Sequence, residues 1–534
     1  MAKRFGVMLD MSRNAIMLPG EVKRFARILK DCGYNMIQLY TEDTYEVDGE
    51  PYFGYMRGRY AKSEMKDIVS YCNSIGMEVI PCIQTLAHLS QIFSWREYRR
   101  IKDVDDIMLA GEERTYLLIE NMFRTLRECF TTEYVHIGMD EAHMLGLGKY
   151  LDLHGPRNRF DILHDHLERV IAIAKKYGFT PIMWSDMFFR LANYGDYYVS
   201  DASLITPEVV AACPDGVEQV YWDYYSSDKK KYDVMLEAHA KFKGATWFAG
   251  GAWTWTGFGS LNGWTLESMT PAMLSCKENG VENIFITLWG DDGKECSYFS
   301  VLPSLFAIRR IYDGESDMEK IKREFKAVVG EDFDRMMLLD LPMDFDEGKI
   351  NDNTPSKYLL YSDCFLGYLD PILKRSFKAE YEDLADRLDT AGEGSAYRYI
   401  FRSHASLCRT LALKHDLGKR TLEAYRSGDR TTVGALVPVY EETILRLERF
   451  VADYRALWFK ENKPHGFDVQ ELRLGGTLLR LKSQKERLQA YAAGEIDEIL
   501  ELEDERLPYM GHGAVDNRMP MLNLWSASVT PNRL

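Results

Sequence analysis

Residues 5–40, FGVMLDMSRNAIMLPGEVKRFARILKDCGYNMIQLY, form the stretch that decides the fold. The stretch begins with an apolar run at Phe5–Met11 and ends with another at Met36–Tyr40. Between the two runs, Glu21–Cys32 has apolar residues at helical spacing, and Gly33 follows as a typical helix end. Short, nearly continuous apolar runs are typical of strands that are buried on both faces of a parallel sheet. The stretch therefore predicts a strand, a helix and a second strand parallel to the first.

The same alternation continues through the first 310 residues. Further apolar runs predict six more strands, at Glu78–Gln84, Tyr134–Met139, Thr180–Trp184, Gln219–Tyr225, Thr246–Gly251 and Asn283–Trp289. Helical periodicity predicts helices between them, for example at Ser63–Ile75, Arg114–Phe130, Leu163–Tyr177 and Pro271–Asn279. Eight strand–helix units in series are typical of a (β/α)8 TIM barrel, a fold of the α/β class. We therefore predict such a barrel over residues 1–315.

Beyond about residue 315 the strand-like runs disappear. Long segments with helical periodicity follow at Tyr397–Ser427, Val433–Lys460 and Leu472–Leu502, bounded by short turns that contain Gly and acidic residues. No low-complexity linker separates them from the barrel. This pattern predicts an α-helical C-terminal domain over residues 316–534 that packs against the barrel.

Composition and charge exclude several classes of protein. The chain has 534 residues, of which 46% are hydrophobic and 28% charged, and this composition argues against a disordered, collagen-like or coiled-coil protein. The 66 Lys and Arg residues are outnumbered by 82 Asp and Glu, which gives a formal charge of −16. A field of that sign disfavours binding to nucleic acid or to anionic membranes. We expect neither as a partner.

The nine cysteines are scattered and form no C-x-x-C pair, so a disulfide framework or a zinc site is not expected. The N-terminal residues lack the apolar core of a signal peptide, and no run reaches the roughly 18 apolar residues of a membrane span. We expect a cytoplasmic protein. There is no H-E-x-x-H metal motif and no G-x-G-x-x-G phosphate loop, and we predict neither a metal nor another cofactor.

Carboxylates and tryptophans recur where the predicted strands end. In a TIM barrel the carboxyl ends of the strands carry the active site. Flat aromatic faces combined with charged hydrogen-bonding groups suit a sugar, which has an apolar face and hydroxyls. The residues at or just after these ends include Asp10, Arg13, Glu42, Asp43, His88, Asp140, Glu141, Trp184, Asp186, Tyr221, Trp222, Asp223, Trp253, Trp255, Trp289 and Asp291.

The adjacent carboxylates Asp140 and Glu141 are the strongest catalytic candidates. Glycoside hydrolysis usually needs two carboxyl groups, one of which is an acid. Neighbouring residues of a strand point to different sides, so an adjacent pair cannot easily act as nucleophile and acid across one bond. We infer that one carboxylate holds a group of the substrate and that the other protonates the leaving oxygen.

The segment HIGMDEAH, residues 136–143, resembles the H-x-G-G-D-E motif of family 20 glycoside hydrolases, the exo-β-N-acetylhexosaminidases. Further similarity lies in LDMSR at 9–13, YTED at 40–43, YWD at 221–223 and LWGD at 288–291. The segment WFKENKPHGFDVQELRLGG, residues 458–476, is similar to a bacterial subgroup with a helical C-terminal domain. The resemblance covers most of the chain.

The resemblance implies a retaining exo-β-N-acetylhexosaminidase that acts on terminal β-linked GlcNAc or GalNAc. In this family the 2-acetamido oxygen of the substrate attacks the anomeric carbon and forms an oxazoline. Asp140 would then orient the acetamido N–H. Glu141 would act first as general acid and then as base, which requires a raised pKa that burial among tryptophans could supply.

The remaining site residues follow from the same resemblance. Trp184, Trp222 and Trp289 would form the walls of the pocket. Tyr221, or alternatively Tyr224 or Tyr225, would bind the acetamido carbonyl. Asp291 and either Arg13 or Arg4 would bind hydroxyls, with Arg13 favoured. The substrate-binding residues predicted in this way are Arg13, His88, Trp184, Tyr221, Trp222, Asp223, Trp253, Trp289 and Asp291.

Several positions depart from the family pattern. Met139 replaces the second Gly of the motif, and Gln84 stands where the family usually has Asp. Because His88 would lose that Asp as a partner, its expected carboxylate partner is Glu42 or Asp43. Strand 7 carries two tryptophans where many members have Tyr and Asp, so the choice between gluco and galacto sugars is left open.

Two other classes of function remain. The protein could be a barrel glycosidase for a modified amino sugar, or a sugar-binding protein without catalysis. The intact Asp140–Glu141 pair argues against the second. The helical domain could cover the pocket of its own chain or form a homodimer, and its pattern does not choose between these.

Overall fold

The computed structural model describes residues 2–343, 355–513 and 524–533. Its central element is a closed barrel of eight parallel strands in the order of the sequence, and β1 pairs with both β2 and β8. The strands are β1 Arg4–Asp10, β2 Met36–Tyr40, β3 Glu78–Cys82, β4 Tyr134–His136, β5 Thr180–Trp184, β6 Glu218–Trp222, β7 Thr246–Gly251 and β8 Asn283–Leu288.

Helices follow the strands and surround the barrel, and helices alone continue the chain after β8 in the described ranges. Their bounds are α1 Pro19–Asp31, α2 Lys62–Ser74, α3 Glu113–Cys129, α4 Lys149–His154, α5 Arg159–Lys176, α6 Asp186–Ala192, α7 Pro207–Ala212, α8 Lys229–His239, α9 Asn262–Glu278, α10 Leu302–Asp313, α11 Met318–Val329, α12 Phe333–Met337, α13 Pro355–Tyr361, α14 Lys378–Gly392, α15 Arg398–Lys414, α16 Leu417–Arg426, α17 Arg430–Gly434, α18 Val437–Glu461, α19 Phe467–Ala493, α20 Leu500–Glu503 and α21 Trp525–Val529.

The predicted (β/α)8 barrel and the helical region after it are both confirmed. All eight strands lie where the apolar runs predict them, and most of their residues are buried, as expected for a sheet covered on both faces. The boundary at residues 315 and 316 stays a prediction.

The helix after β7 shows where periodicity was a poor guide. The pattern predicted a helix at Pro271–Asn279, but α9 begins at Asn262 and contains Pro271. The first half of α9 buries polar residues such as Thr265 and Ser268. A helix that buries polar side chains shows no apolar stripe, so the sequence alone hid its start.

The helical region contacts the face of the barrel where the strands end. Residues 461–463, at the end of α18, run beside the loop that follows β1. The Leu18 N–H donates to the Glu461 carbonyl at 2.8 Å, and the Lys463 N–H donates to the Ile16 carbonyl at 2.7 Å. Among the helices that the structure describes, none has the length and apolar character needed to cross a membrane.

Candidate active site

A cavity of about 120 Å³ lies at the carboxyl ends of the barrel strands. It is lined by Arg13, Tyr40, His88, Asp140, Glu141, Trp184, Trp222, Tyr224, Tyr225, Trp255, Trp289 and Asp291. The predicted pair Asp140 and Glu141 thus shares one cavity with Arg13, His88, Trp184, Trp222, Trp289 and Asp291.

Both carboxylate oxygens of Asp140 are held by the barrel. Gln84 Nε2 donates to Oδ1 at 2.9 Å, and His88 Nε2 lies 3.2 Å from Oδ2. Burial raises the pKa of Asp140, but the charge and hydrogen bond of His88, together with the Gln84 hydrogen bond, outweigh burial and lower the pKa to about 2. Asp140 is therefore an ionised, fixed hydrogen-bond acceptor at neutral pH.

His88 is paired differently from the expectation. The sequence suggested Glu42 or Asp43, but Asp140 is its hydrogen-bond partner, and Asp106 accepts from the His88 backbone N–H at 3.0 Å. Glu42 accepts instead from the Tyr40 hydroxyl, and Asp43 pairs with Arg57. Burial lowers the pKa of His88, but Asp140 raises it to about 10, so the ring is cationic at neutral pH.

The loop that carries the acidic pair has an unusual backbone. Gly138, Met139 and Glu141 all have positive φ, at 72°, 71° and 52°. A Cβ at Gly138 would lie 2.0 Å from Gln84 Oε1, so this position requires glycine. The same Gln84 oxygen accepts from the Met139 N–H at 3.2 Å, and this bond helps to hold a non-glycine residue in a strained conformation.

Glu141 lies at the mouth of the cavity with 47% of its side chain exposed, and its carboxylate is 3.8 Å from His88 Nε2. The Glu141 backbone N–H donates to Asp186 Oδ2 at 3.2 Å. Asp186 is fully buried, and burial, together with the nearby charge of Asp140, raises its pKa to about 7. The Glu141 carboxylate thus reaches the cavity mouth from a backbone that Asp186 holds.

Aromatic rings enclose the other walls of the cavity. Trp184 and Trp289 lie with ring centroids 6.0 Å apart, and Trp222 stacks on Tyr224 at 5.6 Å. The Trp289 N–H donates to the Tyr224 hydroxyl at 3.1 Å. The Trp184 indole N–H is buried and has no acceptor within the described ranges.

Arg13 and Asp291 form the opposite, charged wall. Arg13 Nη2 lies 3.4 Å from Glu42 Oε1, and its Nε lies 3.8 Å from Asp10 Oδ2. Burial lowers the pKa of Arg13, but Glu42 and Asp291 outweigh it and keep the pKa well above the ordinary value. The alternative, Arg4, begins β1 at the other end of the barrel and pairs there with Glu78 at 2.7 Å.

Three predicted substrate-binding residues lie behind the cavity wall. Tyr221 is fully buried and donates to Asp223 Oδ2 at 3.0 Å, and Asp223 also accepts from the Tyr225 N–H. Trp253 is fully buried beside Trp255, and its indole N–H donates to a backbone carbonyl. These positions are at odds with direct contacts to a substrate.

Sequence reasoning did not assign roles in the site to Gln84, Tyr40 or Trp255. Gln84 departs from the family pattern, and its side chain links Asp140 to the Met139 backbone. Tyr40 donates to Glu42 and accepts from Gln84 at 3.1 Å, so it joins the acidic pair to the charged wall. Tyr40 ends β2 and Trp255 follows β7, and an aromatic residue at a strand end is the sequence signal that could have indicated their place in the site.

The donor atoms of His88, Asp140 and Glu141 lie within 4.8 Å of one another, a spacing that could hold a metal ion. The hydrogen bond between His88 and Asp140 explains this proximity without an ion. The expectation that the protein needs no metal stays a prediction.

Two family models match the chain. The model described as the catalytic domain of glycosyl hydrolase family 20 matches residues 6–206. The model described as the Glycoside Hydrolase 20C C-terminal domain matches residues 331–521. The two matches fall on the barrel and on the helical region.

Individual relatives are more distant. Hexosaminidase D of Bos taurus is 24% identical over 255 residues, which cover 46% of this chain and 68% of the relative. Hexosaminidase D of Homo sapiens is 24% identical over 243 residues, which cover 41% of this chain and 47% of the relative, so the chain spans about half the length of that protein. The structure of the β-N-acetylhexosaminidase from Bacteroides fragilis NCTC 9343 is similar over 63% of this chain and 71% of its own, with 18% identity and a TM-score of 0.46. Because the two family models together span most of the chain, the protein belongs to glycoside hydrolase family 20 and carries the C-terminal domain of group 20C.

Proposed function

We propose that the protein is a retaining exo-β-N-acetylhexosaminidase that removes terminal β-linked GlcNAc or GalNAc through an oxazoline intermediate. The observation that carries this proposal is the pairing of Asp140. Both of its oxygens already accept hydrogen bonds, from Gln84 and from cationic His88. A carboxylate held in this way is a poor nucleophile but a good acceptor for an amide N–H. This favours an attack by the acetamido group of the substrate.

In this mechanism Asp140 accepts from the acetamido N–H and aligns the acetamido oxygen with the anomeric carbon. It also stabilises the positive charge that develops on the acetamido group as the oxazoline forms. Glu141 donates its proton to the glycosidic oxygen as that bond breaks. The same carboxylate then removes a proton from the water that opens the oxazoline, which restores the acid and retains the anomeric configuration.

Tyr224 is the residue we propose to donate to the acetamido carbonyl. Its hydroxyl accepts from the Trp289 N–H, a bond that leaves its own proton to donate, and its ring stacks on that of Trp222 in the aromatic wall. Tyr221 has already donated to Asp223. We expect Tyr224→Phe to lower kcat by about tenfold, the effect of losing one charge-stabilising hydrogen bond. Tyr221→Phe should change kcat little and serves as the control.

A comparison of three substrates tests the proposed function. The substrates are the 4-nitrophenyl β-glycosides of GlcNAc, GalNAc and glucose. GlcNAc and GalNAc differ in the configuration of one hydroxyl, and glucose lacks the acetamido group. Hydrolysis of only the N-acetyl sugars is the expected result, and the ratio between them gives the gluco or galacto preference. Equal hydrolysis of the glucoside would show that the nucleophile belongs to the protein and would overturn the roles of Asp140 and Glu141. If none is cleaved, the proposed substrate is wrong and a modified amino sugar becomes the better candidate.

A further inference from the structure

The loop after β8 carries Asp291 into the cavity and is held on its outer side by the helical domain. Arg473, on α19, donates through Nη1 to the Asp292 carbonyl at 2.6 Å and through Nη2 to Asp292 Oδ1 at 3.0 Å. Gln470, one turn earlier, donates to the Gly293 carbonyl at 2.9 Å. Asp291 thus faces the cavity, whereas Asp292 next to it faces the helical domain.

This contact is buried and charged. Lys357, on α13, is fully buried, and its Nζ lies 2.9 Å from Asp292 Oδ2 and 2.8 Å from Glu295 Oε2. Arg473 Nη1 also lies 3.6 Å from Glu295 Oε1. Two cations of the helical domain therefore neutralise two carboxylates of the barrel loop. A buried charge needs its partners, so neither side of this network can move away alone.

The backbone conformation of the loop after β8 explains why it needs these contacts. Asp292 and Lys294 have φ of 51° and 55°, a region that side chains rarely adopt. Gly293, between them, has φ of 119°, and a Cβ there would lie 2.7 Å from Arg473 Nη1. The close approach of the guanidinium is possible only at a glycine. The contacts from Arg473, Gln470 and Lys357 hold the loop in this strained shape.

The loop after β1, which carries Arg13, is also held by the helical domain, here through backbone hydrogen bonds. It exchanges backbone hydrogen bonds with Glu461 and Lys463 at the end of α18. In contrast, the hydrogen bonds of His88, Asp140 and Glu141 within the described ranges all come from barrel residues. The helical domain therefore touches the charged wall and leaves the catalytic pair alone.

We propose that Arg473 is a positioning residue that holds Asp291, through Asp292, against the hydroxyls of the terminal sugar. This inference rests on the proposed function. The helical domain then contributes to substrate affinity and to the discrimination between the gluco and galacto configurations. It does so without supplying a group to the reacting atoms, so its loss should appear in KM and in specificity more than in kcat.

The test compares Arg473→Gln with Arg480→Gln in the full chain. Arg480 lies on the same helix, and its side chain pairs with Asp363 of the helical domain. For the preferred N-acetyl nitrophenyl glycoside, we expect Arg473→Gln to raise KM about tenfold and to change kcat by less than about threefold, because a hydrogen bond to a charged group is lost. The ratio of kcat/KM between the two N-acetyl sugars should move towards one. Arg480→Gln should match the wild type in all three quantities.

A double variant separates positioning from general damage. If Arg473 acts through Asp291, Asp291→Asn combined with Arg473→Gln should have the same KM as Asp291→Asn alone. Arg473→Lys keeps the charge and should recover part of the loss. If Arg473→Gln fails to fold, Gln470→Met removes only the bond to Gly293 and should raise KM to a smaller extent.

Additive effects in the double variant, an unchanged KM in Arg473→Gln, or a fall of kcat at constant KM would each overturn the inference. An unchanged KM in a folded Gln470→Met variant would do the same where Arg473→Gln does not fold. A wild type inactive on both N-acetyl glycosides would overturn the proposed function and this inference together. An active wild type with an insensitive Arg473 would overturn only the inference.

Discussion

The two halves of the cavity are built in different ways. On one side, Asp140, Glu141 and His88 are held by Gln84, Asp106 and Asp186, all of which belong to the barrel. On the other side, the loops that carry Arg13 and Asp291 are fixed by residues of the helical domain. Under the proposed function, the chemical step depends on the barrel alone, whereas recognition of the sugar hydroxyls depends on both domains. Variants on the side of Asp140, Glu141 and His88, the barrel half, test this contrast. They should lower kcat, whereas Arg473→Gln should raise KM.

The largest effects are expected from the acidic pair. Glu141→Gln should lower kcat by about 10²–10⁴ on a β-linked N-acetyl disaccharide and by much less on the nitrophenyl glycoside, whose leaving group needs little protonation. Asp140→Asn should lower kcat by about 10²–10³ on both substrates, because oxazoline formation slows whatever the leaving group is. Steady-state kinetics on the two substrates measure the difference. Activity equal to the wild type in both variants would break the assignment.

A smaller, pH-dependent effect is expected from His88→Asn. The cation of His88 lowers the pKa of Asp140, whereas burial raises it, so removal of the cation should raise that pKa towards or above the ordinary value of about 3.9. In the proposed mechanism Asp140 acts as a carboxylate, and its ionised fraction falls as the pH drops through its pKa. The acid limb of the kcat profile should therefore move to higher pH.

His164→Asn is the matched control for His88→Asn, because His164 lies on α5 and bonds to the Ala212 carbonyl, away from the cavity. Its pH profile should follow that of the wild type. An acid limb that stays in place in His88→Asn would show that Asp140 does not depend on His88 and would weaken the account of the barrel half.

The last effect is expected on stability and not on catalysis, from Asp186→Asn. The folded protein raises the pKa of Asp186 to about 7, above the unfolded value, so the folded state binds this proton more tightly. The contribution of Asp186 to stability is therefore fully present below about pH 4 and is lost as the pH rises to about 7. Asn cannot ionise and can still accept from the Glu141 N–H. Between pH 4.5 and 7.5 the variant should lose on the order of 3 kcal/mol less free energy of unfolding than the wild type, because the pKa shift is about three units and each unit corresponds to about 1.4 kcal/mol.

Denaturant unfolding at several pH values measures this difference. Asp196→Asn, at an exposed position shortly after α6, is the control and should show the pH dependence of the wild type. If Asp186→Asn and the wild type show parallel pH dependence, Asp186 is already ionised in the folded protein, and the charge balance below Glu141 needs another explanation.

The barrel and the position of the acidic pair could be predicted because their signals are local. Eight buried strands require eight apolar runs, and the strand-end motif at 136–141 places Asp140 and Glu141 at the face where barrel enzymes act. The choice among neighbouring aromatic residues could not be predicted. Tyr221 and Tyr224, or Trp253 and Trp255, are close in sequence, yet only the second of each pair lines the cavity.

The reason is that successive side chains alternate between the two faces of the sheet only within a strand. Trp222 is the last residue of β6, and the residues after it follow loop geometry. The partner of His88 could not be predicted for the same reason. His88 lies in the loop after β3, where its φ of 55° directs the ring towards Asp140.

The sequence by itself thus determined the architecture, the position of the acidic pair and the membership of a family, since each of these depends on local patterns of apolar and acidic residues. Only the tertiary structure decided how the cavity is completed. Arg473 and Asp292 are 181 positions apart in the chain, and Lys357 meets Glu295 across 62. Pairings of this kind leave no periodic signal in the sequence. They depend on how the two domains pack and on the strained backbone of the loop after β8, which these contacts hold in place.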